Sequence, residues 1–314
     1  MLRFLILRLT STVFVLVIVS FISFCIMQMV PGDPAAVLAG IGATGDQVQR
    51  IRQEFGLDQP FVIQLFRWYA GLLSGNLGDS VLLGSSVTRA IAESLPPTLS
   101  LTAFAFVLSL VLGLLAGIVA AVNRNRLIDR LVVGFAVLGV SLPSFWLGLL
   151  LVVLFAVKLD LLPAGGYVPI SVNLAGWAKS LVLPGLSLAL LQIGYFARIV
   201  RTSLIEALQQ DFVRTARAKG LGPWLVVGKH ALTNAMLPVL TVSGIMFSLM
   251  MSGSVVIETV FSIPGLGRLM SSAIVSRDYP VIQGTLLLTA AVFVLINLLV
   301  DILCAVVDPR VGYE

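Results

Sequence analysis

The sequence predicts an all-α integral membrane protein: six transmembrane helices with an external loop subdomain after the first. Two observations carry this. Of 314 residues, 58% are apolar and 11% charged, with a mean hydropathy of +1.05, against roughly 25% charged residues in soluble domains. The apolar residues also gather into six runs near 9–30, 98–122, 131–157, 181–200, 235–257 and 281–307. Each is close to the ~20 residues that cross about 30 Å of hydrocarbon at about 1.5 Å per residue.

The first run follows Arg3 and Arg8. At about 22 residues it exceeds the roughly 7–15 of a cleaved signal core. No Ala-x-Ala site closes it, so it reads as a retained span. Gly113 and Gly117 in the second run form a small-residue pair suited to tight helix packing. Pro143 is expected to kink or loosen the third. The fourth is the weakest, because Pro184-Gly185 opens it and Gln192 interrupts it.

The basic residues orient the runs. With a cytoplasmic N-terminus, twelve of the 20 Lys and Arg fall inside and eight outside, the outer set diluted over longer loops. Asn123–Arg130 alone packs three arginines into eight residues. The positive-inside rule therefore places both termini in the cytoplasm. This scatter of basic residues also argues against nucleic-acid binding. Cys25 and Cys304 then lie near opposite faces, inside apolar runs, and suggest neither a disulfide nor a metal site.

Two connections exceed what linking requires. In the external loop 31–97, Val48, Ile51 and Phe55 share a helical face ahead of Gly56. Pro60–Leu73 reads either as an amphipathic helix against the membrane or bundle, or as part of a small capping subdomain. The cytoplasmic loop 201–234 is far longer than the 2–8 residues of a typical helix connection. It has helical character up to Gly220. Arg214 and Arg217 share one face of it, and Ala216 and Gly220 form a smooth strip. That pattern suits either docking into a partner's groove or an ordinary basic loop.

Catalytic motifs are missing. His230 is the single histidine, and no H-E-x-x-H occurs. Gly228-Lys229-His230 fails as a phosphate loop, because Pro223 stands at the first glycine and His230 at the Ser/Thr. Gly265-Leu266-Gly267 lacks the third glycine of a dinucleotide site, since Met270 is there. An ATP-driven process would need ATP bound on another chain. Within the spans, Ser243, Ser248 and Ser252 of the fifth run, Glu258 at its outer end and Asp301 in the sixth are candidates for a polar translocation path. The same residues also serve as packing or interfacial anchors.

The segment Asp211–Leu221, followed by His230-Ala231-Leu232-Thr233-Asn234-Ala235-Met236-Leu237-Pro238, resembles the cytoplasmic loop of type I ABC importer permeases. The match is to the dipeptide, oligopeptide, glutathione and nickel group. Pro31-Gly32-Asp33-Pro34, Gly56-Leu57-Asp58-Gln59-Pro60, Gly75–Ser80, Ser141–Trp146, Glu258–Gly267, Arg277-Asp278-Tyr279-Pro280 and Asp308-Pro309-Arg310 agree with it in order. Arg214-Thr215-Ala216 stand where the wider superfamily has Glu-Ala-Ala, a form similar to the peptide-importer branch, and Phe212 stands where tyrosine is common.

The resemblance implies a bacterial inner-membrane, multi-pass permease that is not itself an enzyme. Residues 1–93 would form the first helix and external loop, 94–307 a five-helix core, and 308–314 a cytoplasmic tail. It implies a coupling helix whose contacts with the ATPase are Arg214, Ala216, Arg217, Lys219 and Gly220. The implied partners are a second homologous permease, two ATP-binding subunits carrying ATP and Mg, an external solute-binding protein docked on the first loop and 258–280, and the lipid bilayer. Peptides, glutathione, opine-like compounds and nickel chelates are all open as cargo. The rival classes are a self-contained secondary transporter or channel, which lacks an ion-coupling constellation here, and an intramembrane enzyme, which lacks the motifs.

Overall fold

The computed structural model describes residues 2–29, 33–39, 42–54, 56–80 and 82–307. Phe55, the Pro31-Gly32 and Asp308-Pro309-Arg310 motifs and the tail 308–314 lie outside them. The elements in order are α1 (Leu2–Met29), α2 (Pro34–Ala39), α3 (Gly45–Glu54), α4 (Phe61–Leu73), β1 (Asp79–Ser80), β2 (Ser85–Ser86), α5 (Val87–Val122), α6 (Leu127–Ser141) and α7 (Ser144–Leu151). A π-helical turn, Val152–Lys158, continues α7. There follow α8 (Leu174–Leu208), α9 (Asp211–Ala218), α10 (Pro223–Leu225), a second π-helical stretch Val226–Ala231, α11 (Leu232–Val260), α12 (Leu266–Ser276) and α13 (Tyr279–Val307).

Among the described residues, five helices are long and apolar enough to cross a membrane: those around Ile6–Cys25, Val87–Val122, Leu174–Leu208, Pro223–Val260 and Tyr279–Ala305. The expected third span is instead a pair of shorter helices. α6 and α7 meet at a bend of 100°, at Leu142-Pro143. Proline has no N–H to give the helix, and its ring disfavours helical geometry in the residue before it. Leu142 is accordingly extended (φ −92°, ψ 129°).

The fourth span corrects the sequence reading in length. α8 begins at Leu174, because Asn173 caps it: its Oδ1 accepts from the amides of Ala175 (3.0 Å) and Gly176 (3.1 Å). The helix then passes through Pro184 without ending. Neighbouring Gly185 leaves the space that Phe104 fills, since a Cβ there would lie 2.5 Å from the Phe104 ring.

The chain divides into two compact units. In the larger, residues 97–263 with both chain ends, α8 is the central helix, buried along most of its length. Leu181, Leu183, Leu188, Ala189 and Ile193 pack with Leu101 and Ala105 of α5 and Met250 and Ile257 of α11. Gly113 and Gly117 bring α5 onto α8: a Cβ on Gly117 would sit 2.6 Å from Val200 Cβ and 2.7 Å from the Ala197 carbonyl oxygen. The small-residue pair read from sequence therefore is a helix contact.

The smaller unit, residues 8–96 and 264–295, holds the first loop. α4 lies on α1, with Phe61 edge-on to Phe24 (5.4 Å between ring centres) and Ser20 hydrogen-bonded to Tyr69 (3.0 Å). Residues 61–73 are helical, and this helix belongs to the smaller unit. The short antiparallel hairpin pairs Asp79 with Ser86 and Ser80 with Ser85. Its core is Val87, Ile91, Leu266, Ala273 and Val281.

Candidate functional site

The loop 201–234 is almost wholly helical. Its first residues extend α8, α9 follows after Gln209-Gln210, and α10 with the π-helical stretch runs into α11. α9 carries Asp211 in its first turn and Arg217 in its last, both favourable to the helix dipole. Its inner face is Val213 (1% exposed) and Ala216 (5%). They pack with Ala121, Leu204, Ala207, Val226, Ala231 and Ala235. A helix of eight residues is too short to persist alone; this apolar seat is what holds it.

This placement separates the coupling candidates. Ala216 faces the chain's own core and helps seat α9 on its own bundle, whereas Gly220, the other half of the smooth strip, stays open. Arg214, Arg217, Lys219 and Gly220 are exposed. Arg214 lies 3.6 Å from Asp211, but with side chains 87% and 95% exposed the pair is screened. Gly220 ends the helix at φ +79°, a left-handed conformation that suits glycine. The sequence reading missed Trp224, which stands 84% exposed beside Leu225 (48%) just beyond α9. Its signal was Pro223 at a helix start followed by a large aromatic.

Also missed was the clamp above α9. Arg201 of α8 holds Asp129 of α6 through Nε and Nη2, at 2.5 and 2.7 Å. Asp129 is 3% exposed and accepts a further bond from the Asn125 amide at 2.9 Å. It thereby fixes the α5–α6 turn, where Asn125 adopts φ +65°. The sequence counted Arg201 as a topology charge only.

The path candidates also scatter. Glu258 is fully buried (0% exposed). Its Oε1 accepts from the hydroxyls of Thr98 (2.7 Å) and Ser254 (3.1 Å), joining α11 to α5. Ser243 is buried and donates to the Val239 carbonyl (2.7 Å). Ser248 is buried with Asn297 Nδ2 at 3.5 Å, and Asp301 is half-buried. Ser252 alone stands on the open face of α11, in an exposed stripe Thr241, Ile245, Leu249, Ser252, Val256 and Thr259 at helical spacing.

In the smaller unit, the two loops expected to meet a binding protein are joined. Ser80 of the hairpin donates to Asp278, which is 2% exposed and caps α13 through the Val281 amide.

The chain shares its fold with the MetNI methionine ABC transporter in inward-facing conformations, with a TM-score of 0.58 at 20% identity over 70% of this chain and 97% of that one. Residues 113–313 match the family "binding-protein-dependent transport system inner membrane component", and residues 1–102 match its N-terminal region. The chain belongs to that family: it is the permease subunit of a binding-protein-dependent ABC importer, a multi-pass inner-membrane transport subunit and not an enzyme. Among relatives, a putative peptide transport system permease of Brucella abortus (strain 2308) is 50% identical over 307 residues, covering 98% of each chain. A probable peptide ABC transporter permease of Sinorhizobium fredii is 42% identical over 306 residues, 98% of each. The glutathione transport system permease GsiC of Escherichia coli (strain K12) is 42% identical over 314 residues, 100% of each.

Proposed function

We propose that this subunit imports a short peptide or peptide-like solute, handed over by an external binding protein and driven by ATP bound with Mg on separate subunits. One observation carries the coupling part. α9 is gripped from inside by Val213 and Ala216, while Arg214 and Arg217 project free from its other side. A rigidly seated helix with a free cationic face transmits a push from a docked partner to α8 and α11, the helices that seat it. Arg214, Arg217, Lys219, Gly220 and Trp224 are the contact set; a large exposed aromatic and arginines are the residue types enriched at binding hot spots.

The assembly in this reading has two ATP-binding subunits on the face that bears α9 and a second homologous permease beside this one. Both termini are cytoplasmic. The Ser80–Asp278 junction stiffens the surface that receives the binding protein, and Ser252 with its stripe on α11 faces the path between the permeases. A peptide is favoured as cargo by the relatives named for peptide transport; glutathione, itself a tripeptide, is the second choice.

The test is the charge reversal Arg214→Glu with Arg217→Glu. Membrane insertion is expected to be normal. Co-purification of the ATPase subunits and binding-protein-stimulated uptake should each fall more than about ten-fold, as losing about 1.4 kcal/mol of contact energy requires. Wild-type retention of both would overturn the coupling assignment. Uptake that persists without ATP or partners would point to a self-contained transporter instead.

A further inference from the structure

α6 and α8 cross closely at Ala136 and Gly194: a Cβ on Gly194 would lie 2.8 Å from the Ala136 carbonyl oxygen. Beside that crossing the helices leave a groove of about 250 Å³. Val133, Val137 and Val140 of α6 form its apolar wall, and it ends on Arg198 and Arg201 of α8.

The two arginines differ. Arg201 is committed to Asp129. Arg198 is exposed, with its guanidinium carbon 5.2 Å from the centre of the Tyr195 ring, and no carboxylate lies within ion-pairing distance of it among the described residues. Stacking on a ring holds the guanidinium plane while leaving its edge N–H groups free to donate. The same end of the bundle carries Arg124, Arg126 and Arg130 around the turn that Asp129 fixes. The groove is thus apolar along α6 and cationic at its mouth, where Arg198 carries the uncompensated charge.

We infer that this groove is the seat of an anionic phospholipid, with one acyl chain along the α6 valines and the headgroup phosphate on Arg198. A bidentate guanidinium–phosphate contact is the match of geometry and charge that this mouth offers. Basic pockets between membrane helices recognise anionic headgroups in this way. The bound lipid wedges α6 against α8 three residues from Arg201 of the Arg201–Asp129 clamp, so it would fix α6 against the helix that leads into α9.

The test uses the assembled complex in nanodiscs, with native mass spectrometry reading the lipid that survives extraction. Wild type is expected to retain phosphatidylglycerol and to retain no phosphatidylcholine from discs of that lipid alone. Arg198→Gln should lower phosphatidylglycerol retention about five-fold, the factor that about 1 kcal/mol per basic group represents. Arg198→Lys keeps the charge but loses the planar fork, and should restore only part of it. Val137→Trp fills the groove and leaves the charge, and should lower retention as far. Equal retention of both lipids, or an unchanged level in Arg198→Gln or Val137→Trp, overturns the assignment. So does a cross-link from a cysteine at position 137 to the second permease, which would show that protein covers the groove. Arg198 is exposed, so its variants keep the fold, and size-exclusion elution of the complex verifies this.

Discussion

Arg201 and Asp129, 72 positions apart in the chain, form a two-pronged ion pair at 2.5 and 2.7 Å that fastens α8 to the first turn of α6. The Asp129 side chain is 4% exposed and that of Arg201 25%, so removing either partner strands a charge that water reaches poorly. Breaking such a pair costs about 3–5 kcal/mol when fully buried. With Arg201 partly wet, Asp129→Asn is expected at the low end, about 3 kcal/mol, measured by denaturant unfolding of the purified complex. Asp129→Arg combined with Arg201→Asp should recover part of the loss. A double variant no better than the singles would show that the contact is not pairwise.

The contact of α5 with α8 leads to a second expectation. A Cβ on Gly117 meets Val200 Cβ at 2.6 Å and the Ala197 carbonyl at 2.7 Å. Neither is the movable end of a side chain. Gly117→Ala should therefore cost about 1–3 kcal/mol through overpacking, and Gly117→Leu should prevent stable folding. Gly134 is the control, because a Cβ there meets nothing within 4 Å. Gly134→Ala is expected to be neutral, or to stabilise by up to about 1 kcal/mol through helix propensity. Equal yields of Gly117→Leu and Gly134→Ala in membranes would refute the packing account.

The long apolar runs were legible because period and length in a bilayer depend on local composition. So were the kink at Pro143 and the Gly113–Gly117 contact, each of which follows from one residue type. What escaped was a cap, a packing choice and a long-range pair. The start of α8 at Leu174 depends on a single cap, Asn173, inside a stretch that hydropathy discards. Ala216 was open to either side, because a small residue on a helix suits a partner's groove and the chain's own core equally, and packing shows it against the core. Arg201 and Asp129 lie 72 positions apart, and no local pattern links them. Trp224 lies beyond Gly220, where the helical reading of the loop stopped.

Glu258 is the residue on which the two readings of the membrane carboxylates diverge. It is fully buried, and its Oε1 receives the Thr98 and Ser254 hydroxyls at 2.7 and 3.1 Å. Glu258→Gln keeps an amide oxygen of the same shape in that position, so both hydroxyls keep an acceptor. Glu258→Ala removes that acceptor and breaks the side-chain bridge between α5 and α11, and losing a buried hydrogen-bond partner costs about 1–3 kcal/mol. If the carboxylate is a packing device joining α5 to α11, Glu258→Gln should retain most of the wild-type uptake and thermal stability. Glu258→Ala should then lose about 2 kcal/mol or more. If the negative charge itself serves the translocated solute, both variants should lose uptake alike while Glu258→Gln stays stable. The burial of the side chain favours the first outcome, because a group meeting solute needs an open face such as that of Ser252. Uptake and unfolding measured side by side on the two variants separate the alternatives: a stable Glu258→Gln protein that no longer transports would return this residue to the path.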